Sequence, residues 1–179
     1  MRVLGIDPGT RKLGWGVVER RGAKLCGVAA GVVSLDPRTE LSDRLAHAFE
    51  QLELMIEDHD PDVVAVEDVF FAKFASAAIK LGHIRGVVLL AAARADKPVT
   101  EWPPSLVKRT VTGRGAAEKI QVGRVVAATL GLAVVPPADA ADALAIAITH
   151  LASTPYAALA RGGIGAIPVA LKAPARARK

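Results

Sequence analysis

Four carboxylates in this 179-residue sequence fall at the ends of apolar segments, where a side chain can leave a sheet or helix and face a substrate. Asp7 closes the run Arg2-Val-Leu-Gly-Ile-Asp, and Glu67 closes Asp62-Val-Val-Ala-Val-Glu. Asp139 and Asp142 stand three residues apart near the start of Ala138–Leu151, a spacing that puts both on one face of a helix. The residues around each acid are apolar, and carboxylates beside buried strands are costly unless something positive pairs with them. No basic residue adjoins these runs apart from Arg11 and Lys12 after the first turn. A hard divalent cation would supply the charge. Mg2+ takes oxygen ligands, keeps several waters and is commonly held by a few carboxylates plus substrate phosphate. Four acids suit a pair of ions about 3.5–4 Å apart, the arrangement that drives in-line cleavage of a phosphodiester. Each acid also has an ordinary role: a solvated strand end for Asp7 and Glu67, a favourable charge at a helix N-terminus for Asp139. Spacing alone leaves both open.

The elements that must position these acids follow from periodicity and punctuation. Residues 2–7 form a short buried strand, Pro8-Gly9-Thr10 a turn, Leu13–Val18 a second strand and Lys24–Leu35 a third, together an antiparallel meander. Gly14 and Gly16 flank Trp15 and weaken the second strand, which implies close packing against something. Thr39-Glu40-Leu41 opens a helix whose Leu41, Leu45, Phe49, Leu52 and Ile56 recur at helical spacing, ended by Pro61. Asp62–Glu67 is a strand, residues 73–95 a long Ala-rich helix, and Pro98–Trp102 a short strand. Pro103-Pro104 breaks the chain and Ser105 caps a short helix. Thr112-Gly113-Arg114-Gly115 reads as a mobile loop, Glu118–Leu130 as a helix and Ala138–Leu151 as the last helix. Strands first, then strand–helix alternation, predict one α/β domain: a mixed five-stranded sheet flanked by helices over residues 1–152. Residues 153–179 are expected to be a basic, disordered tail.

Composition narrows the function classes. Apolar residues make up 51% of the chain, which excludes wholesale disorder. No apolar run approaches the ~18–20 residues of a membrane helix, and the early Asp7 leaves no secretory signal, so a cytoplasmic location and no membrane partner are expected. The lone Cys26 excludes an internal disulfide and a Cys-based zinc site. The net charge of +5 is unevenly spread. Residues 1–68 carry 8 basic and 13 acidic side chains, residues 69–125 carry 10 and 3, and the tail 153–179 carries 5 and 0. A basic middle segment fits a polyanion.

Five ordered segments narrow the choice: Gly5-Ile-Asp-Pro-Gly-Thr, Val66-Glu-Asp-Val-Phe, Lys80-Leu-Gly-His-Ile-Arg-Gly, Glu118-Lys-Ile-Gln-Val and Ala138-Asp-Ala-Ala-Asp-Ala-Leu-Ala-Ile-Ala-Ile-Thr-His. Together, and over residues 1 to about 152, they resemble the RuvC family of bacterial Holliday-junction resolvases. The resemblance implies an RNase H-like fold and a structure-selective endonuclease that resolves four-way DNA junctions by paired symmetric nicks in recombination and repair. It implies products with 5′-phosphate and 3′-hydroxyl ends. Asp7, Glu67, Asp139 and Asp142 match the family's metal-binding quartet. Some relatives carry His at the position of Asp139, so this chain has the all-carboxylate version.

Further roles follow from the same resemblance. Asp7 is expected to bridge two Mg2+ ions, with Mn2+ as a substitute, while Glu67 holds one and Asp139 and Asp142 the other. Lys119, and beside it Lys108, match basic positions near the family's active site, where a lysine stabilises charge on the scissile phosphate. Arg109 and Arg114 read as backbone-phosphate contacts. Phe70 lies where the family stacks an aromatic on an unpaired base at the crossover, whereas Phe74, Trp15 and Trp102 read as core. The small residues Ala75, Ala78, Gly82 and Gly86 allow close helix approach, and the resemblance makes this helix a homodimer interface suited to a two-fold junction. Coupling to the RuvA–RuvB branch-migration complex is implied by family alone. Three alternatives compete: an RNase H-like nuclease of another substrate class, a non-enzymatic junction binder, and an actin-like phosphate-loop ATPase fragment suggested by Ile6-Asp-Pro-Gly-Thr.

Overall fold

The computed structural model describes residues 1–68, 75–115 and 118–154. The expectations for Phe70 and Phe74, and for the tail from residue 155 onward, lie outside these residues. Five strands, β1 (Arg2–Asp7), β2 (Lys12–Arg21), β3 (Lys24–Ser34), β4 (Val63–Glu67) and β5 (Val99–Trp102), form one sheet in the order β3-β2-β1-β4-β5. The first three strands are antiparallel, and β4 and β5 run parallel to β1. This is the mixed five-stranded sheet expected from the pattern. Strand β1 is its centre and the point where antiparallel pairing gives way to parallel.

Alternation along the strands divides the core into two layers. Leu4, Ile6, Val64 and Val66 face α1 (Leu41–His59) and α2 (Ala75–Arg94). Val3, Val18 and Ala65 face the other side, covered by α3 (Pro104–Thr112), α4 (Lys119–Leu130) and α5 (Ala138–Ser153). The acidic residues of α1 are largely exposed, on the layer away from α3–α5. Among the described residues, no helix is long and apolar enough to cross a membrane.

Helix α5 is apolar nearly all round and is buried from Ala140 to Leu151 except for half-buried Asp142. Such a helix needs partners on every side. Leu144, Ile146, Ile148 and Leu151 each contribute about 1.5–3 kcal/mol by burial. Its seat on the sheet is glycine. A Cβ on Gly5 would lie 2.0 Å from the carbonyl oxygen of Ala143, and one on Gly14 would lie 2.0 Å from that of Asp139. Gly16, paired with Gly5 across the β1–β2 ladder, faces Leu144 at 2.6 Å in the same way. The close packing expected at Gly14 and Gly16 is therefore contact with α5, through the Asp139 backbone at Gly14 and the Leu144 side chain at Gly16.

Two local expectations change. Ser105 does not cap α3: Pro103 is the N-cap and Pro104 the first helical residue, where a missing N–H and a fixed φ are no loss. Thr112 and Gly113 are not free loop. Thr112 closes α3, its hydroxyl donating to the Lys108 carbonyl at 2.8 Å, and Gly113 caps the helix at φ +74°.

His150 is 4% exposed, with Nδ1 2.9 Å from the Thr100 hydroxyl and its ring edge-on to Trp102. Its Nε2 is buried without a partner among the described residues, so an imidazolium would be a buried cation with an unpaired N–H. Burial accordingly holds its pKa below the ordinary value. The unfolded chain takes up this proton as pH falls below about 6.5, while the folded chain refuses it, so this group's contribution to stability falls with pH below that point. Burial of Asp7 acts with the opposite sign below pH 7, so the measurement is a difference. Between pH 7 and 5, the melting temperature of His150→Asn is expected to drop less than that of the wild type; equal drops would sink the assignment.

Candidate metal and phosphodiester site

Asp7 and Glu67 end adjacent parallel strands in register. Ile6 pairs with Val66, so the next residue on each strand points to the same face, the one covered by α3–α5. The acids of α5 are brought to that face by the glycine seat, because Gly14 pairs with Asp7 on one side and touches the Asp139 backbone on the other. The electrostatics record the convergence. Burial, then the charges of Glu67, Asp142 and Asp139, push the Asp7 carboxyl up to about 7, with Lys119 pulling the other way. Glu67 is raised as well, by burial and then by Asp142, against Lys119 and Lys108.

Positive charge, scarce beside these acids along the sequence, reaches the site from distant parts of the chain. Lys119, on the first turn of α4, donates to Asp142 at 2.9 Å, and that bond holds its ammonium above the ordinary lysine value. Lys108 on α3 acts on Glu67. Lys12, at the start of β2, lies 3.9 Å from Asp139. Arg109 and Arg114 are exposed, and neither side chain reaches the carboxylates among the described bonds and ion pairs; the Arg114 backbone binds only the Thr112 hydroxyl.

Arg85 is the residue that sequence reasoning passed over. Its guanidinium donates to the Glu67 carbonyl at 2.7 Å and pairs with Glu101 and Asp68, tying α2 to the ends of β4 and β5. The available signal was an arginine next to the inward position Ile84, in the middle of a helix rich in small and apolar residues.

Among the described residues, no three His, Cys, Asp or Glu side chains are gathered closely enough to hold an ion as they stand. The donor set nevertheless suits a hard divalent cation. All four groups are carboxylates on one face, and the burial that raises Asp7 marks a place short of positive charge. The cations paired with the α5 acids are Lys119, at 2.9 Å from Asp142, and the more distant Lys12, at 3.9 Å from Asp139.

A mixed sheet with acids at the ends of its first and fourth strands and on its last helix defines an RNase H-like protein with an acidic cluster. The family model described as crossover junction endodeoxyribonuclease RuvC matches residues 3–150. The chain belongs to the RuvC family. It is 55% identical to the crossover junction endodeoxyribonuclease RuvC of Sorangium cellulosum over 180 residues, 99% of each chain. It is 48% identical to that of Caulobacter vibrioides, covering 83% of this chain and 88% of the relative. The solved structure of Thermus thermophilus RuvC in complex with a Holliday junction substrate superposes with a TM-score of 0.80 at 39% identity, over 84% of this chain and 93% of that one.

Proposed function

We propose that this protein is an endonuclease that resolves four-way DNA junctions by paired, symmetric, Mg2+-dependent nicks. The observation that carries this reading is the convergence of Asp7, Glu67, Asp139 and Asp142 on one face, bordered by lysines from three separate elements. Asp7 holds the centre, Glu67 one side, and the two α5 acids the other. Bound there, a pair of Mg2+ ions supplies an acidified water and neutralises charge on the departing 3′ oxygen. Lys119 and Lys108 border these acids, where they would stabilise negative charge on the phosphate and fix the strand.

Paired nicks need two sites, and α2 offers the surface for a second copy. Ile79 and Leu90 are 61% and 54% exposed on it, and Gly82 and Gly86 have open space where a side chain would stand. Small residues between exposed apolar ones let two such helices approach closely about a two-fold axis. The decisive assay offers purified protein and Mg2+ a four-way junction, a linear duplex and an RNA–DNA hybrid, with size measured at low micromolar concentration. Nicks at symmetric positions on the junction alone, made by a dimer, are the expected result. Equal cutting of duplex or hybrid, or cutting by a strict monomer, would overturn it.

A further inference from the structure

Lys12 borders the acids on the side away from Glu67. Its backbone is fixed from both directions. A Cβ on Gly9 would lie 2.2 Å from the Lys12 carbonyl oxygen, so the turn after Asp7 folds tightly onto it. Two residues further on, Gly14 is in backbone contact with Asp139. Lys12 also pairs with Ser34 of β3. Its ammonium, by contrast, is loosely held. It lies 3.9 Å from Asp139, beyond hydrogen-bond reach, on a side chain 64% exposed. An exposed pair of that length contributes little to folding. Lys119, at 2.9 Å from Asp142, is held far more closely.

We propose that Lys12 is a phosphate-contacting residue that grips the DNA backbone on the Asp139 side of the site and so positions the strand to be cut; this rests on the nuclease function proposed above. With Lys108 at Glu67 and Lys119 at Asp142, it completes a rim of three ammonium groups from α3, α4 and β2. Each stands on a helix or strand and borders a different member of the same acidic cluster, Lys108 at Glu67, Lys119 at Asp142 and Lys12 at Asp139. Divalent ions held by those acids would offset the charge of Asp139 and leave the exposed Lys12 ammonium free to pair with a backbone phosphate. A lysine on a phosphate displaces condensed counterions, so its contribution is read in the salt dependence of binding.

The test uses the whole 179-residue chain carrying Asp7→Asn, expected to bind without cutting, with and without Lys12→Gln, on a four-way junction in Mg2+. Loss of Lys12 is expected to flatten the slope of log affinity against log salt by about 0.9 per site and to weaken binding about three- to tenfold at moderate salt. Lys12→Arg should restore both, and the melting temperature of Lys12→Gln should stay within about 1 °C of the parent. An unchanged slope, or a lost affinity that tracks a lowered melting temperature, would overturn the assignment of Lys12. If the Asp7→Asn protein itself fails to prefer junction over duplex, the nuclease function proposed above is what fails.

Discussion

Asp7→Asn is expected to slow Mg2+-dependent junction cutting by about a thousandfold or more while leaving junction binding within a few-fold of the wild type. A thousandfold corresponds to about 4 kcal/mol at the transition state, the scale expected when a carboxylate central to a metal site is neutralised without changing its shape. Asp7 is the centre because it alone is pushed up by all three of the other acids as well as by burial. The same substitution removes a buried charge from among like charges. In the presence of a chelator the variant should therefore melt about 2–4 °C above the wild type. Loss of activity with gain of metal-free stability is hard to obtain from a structural residue. Single-turnover cleavage, a binding titration and a melting curve in chelator check it, and undiminished cutting would sink the assignment of Asp7.

Gly14→Ala is the second large effect, and it acts without touching a charge. The added methyl would stand 2.0 Å from the Asp139 carbonyl oxygen and 2.5 Å from its carbon, both backbone atoms. Ordinary contact requires a shift of about 1–1.5 Å, and the first turn of α5 must make it. Displacements of that size at a reacting centre cost about a hundredfold in rate. The overpacking itself costs about 1–3 kcal/mol, or about 3–9 °C in melting temperature for a domain of this size. Gly5→Ala meets the middle of α5 instead, at Ala143 and Ala147, and should cost more stability because Leu144 and Ile148 move with it. A Gly14→Ala protein that cuts at the wild-type rate would show that the first turn of α5 is not held by this contact.

Much of the architecture was legible because the chain states it locally. The short continuous apolar runs in Arg2–Asp7 and Asp62–Glu67 show two buried strands that each end on an acid, and the three-residue step from Asp139 to Asp142 places both on one helix face. The flanking glycines of Trp15 pointed to a close neighbour, which α5 proved to be. What the sequence concealed was long-range. Lys119 meets Asp142, 23 residues away, and Arg85 meets the Glu67 carbonyl, 18 residues away. Lys12 reaches Asp139 only because β2 and α5 touch through Gly14. No periodicity announces such pairs, since they depend on which strand lies beside which and on the seating of a helix. Proline misled at Ser105, because Pro104 starts α3 where a hydroxyl cap seemed the natural beginning.

The seating of α5 on β1 and β2 also orders events during synthesis. The first acid emerges with residue 7 and the last pair only with residues 139 and 142, on a helix that completes one whole layer of the core. A chain interrupted before Ala138 holds Asp7 and Glu67 on a sheet whose second face has lost its main cover, and such a fragment has neither a finished core nor a finished site. Completion of the core and completion of the acidic cluster therefore arrive together, and a chain ending before Ala138 is expected to be unable to cut a junction, with no separate inhibitor required.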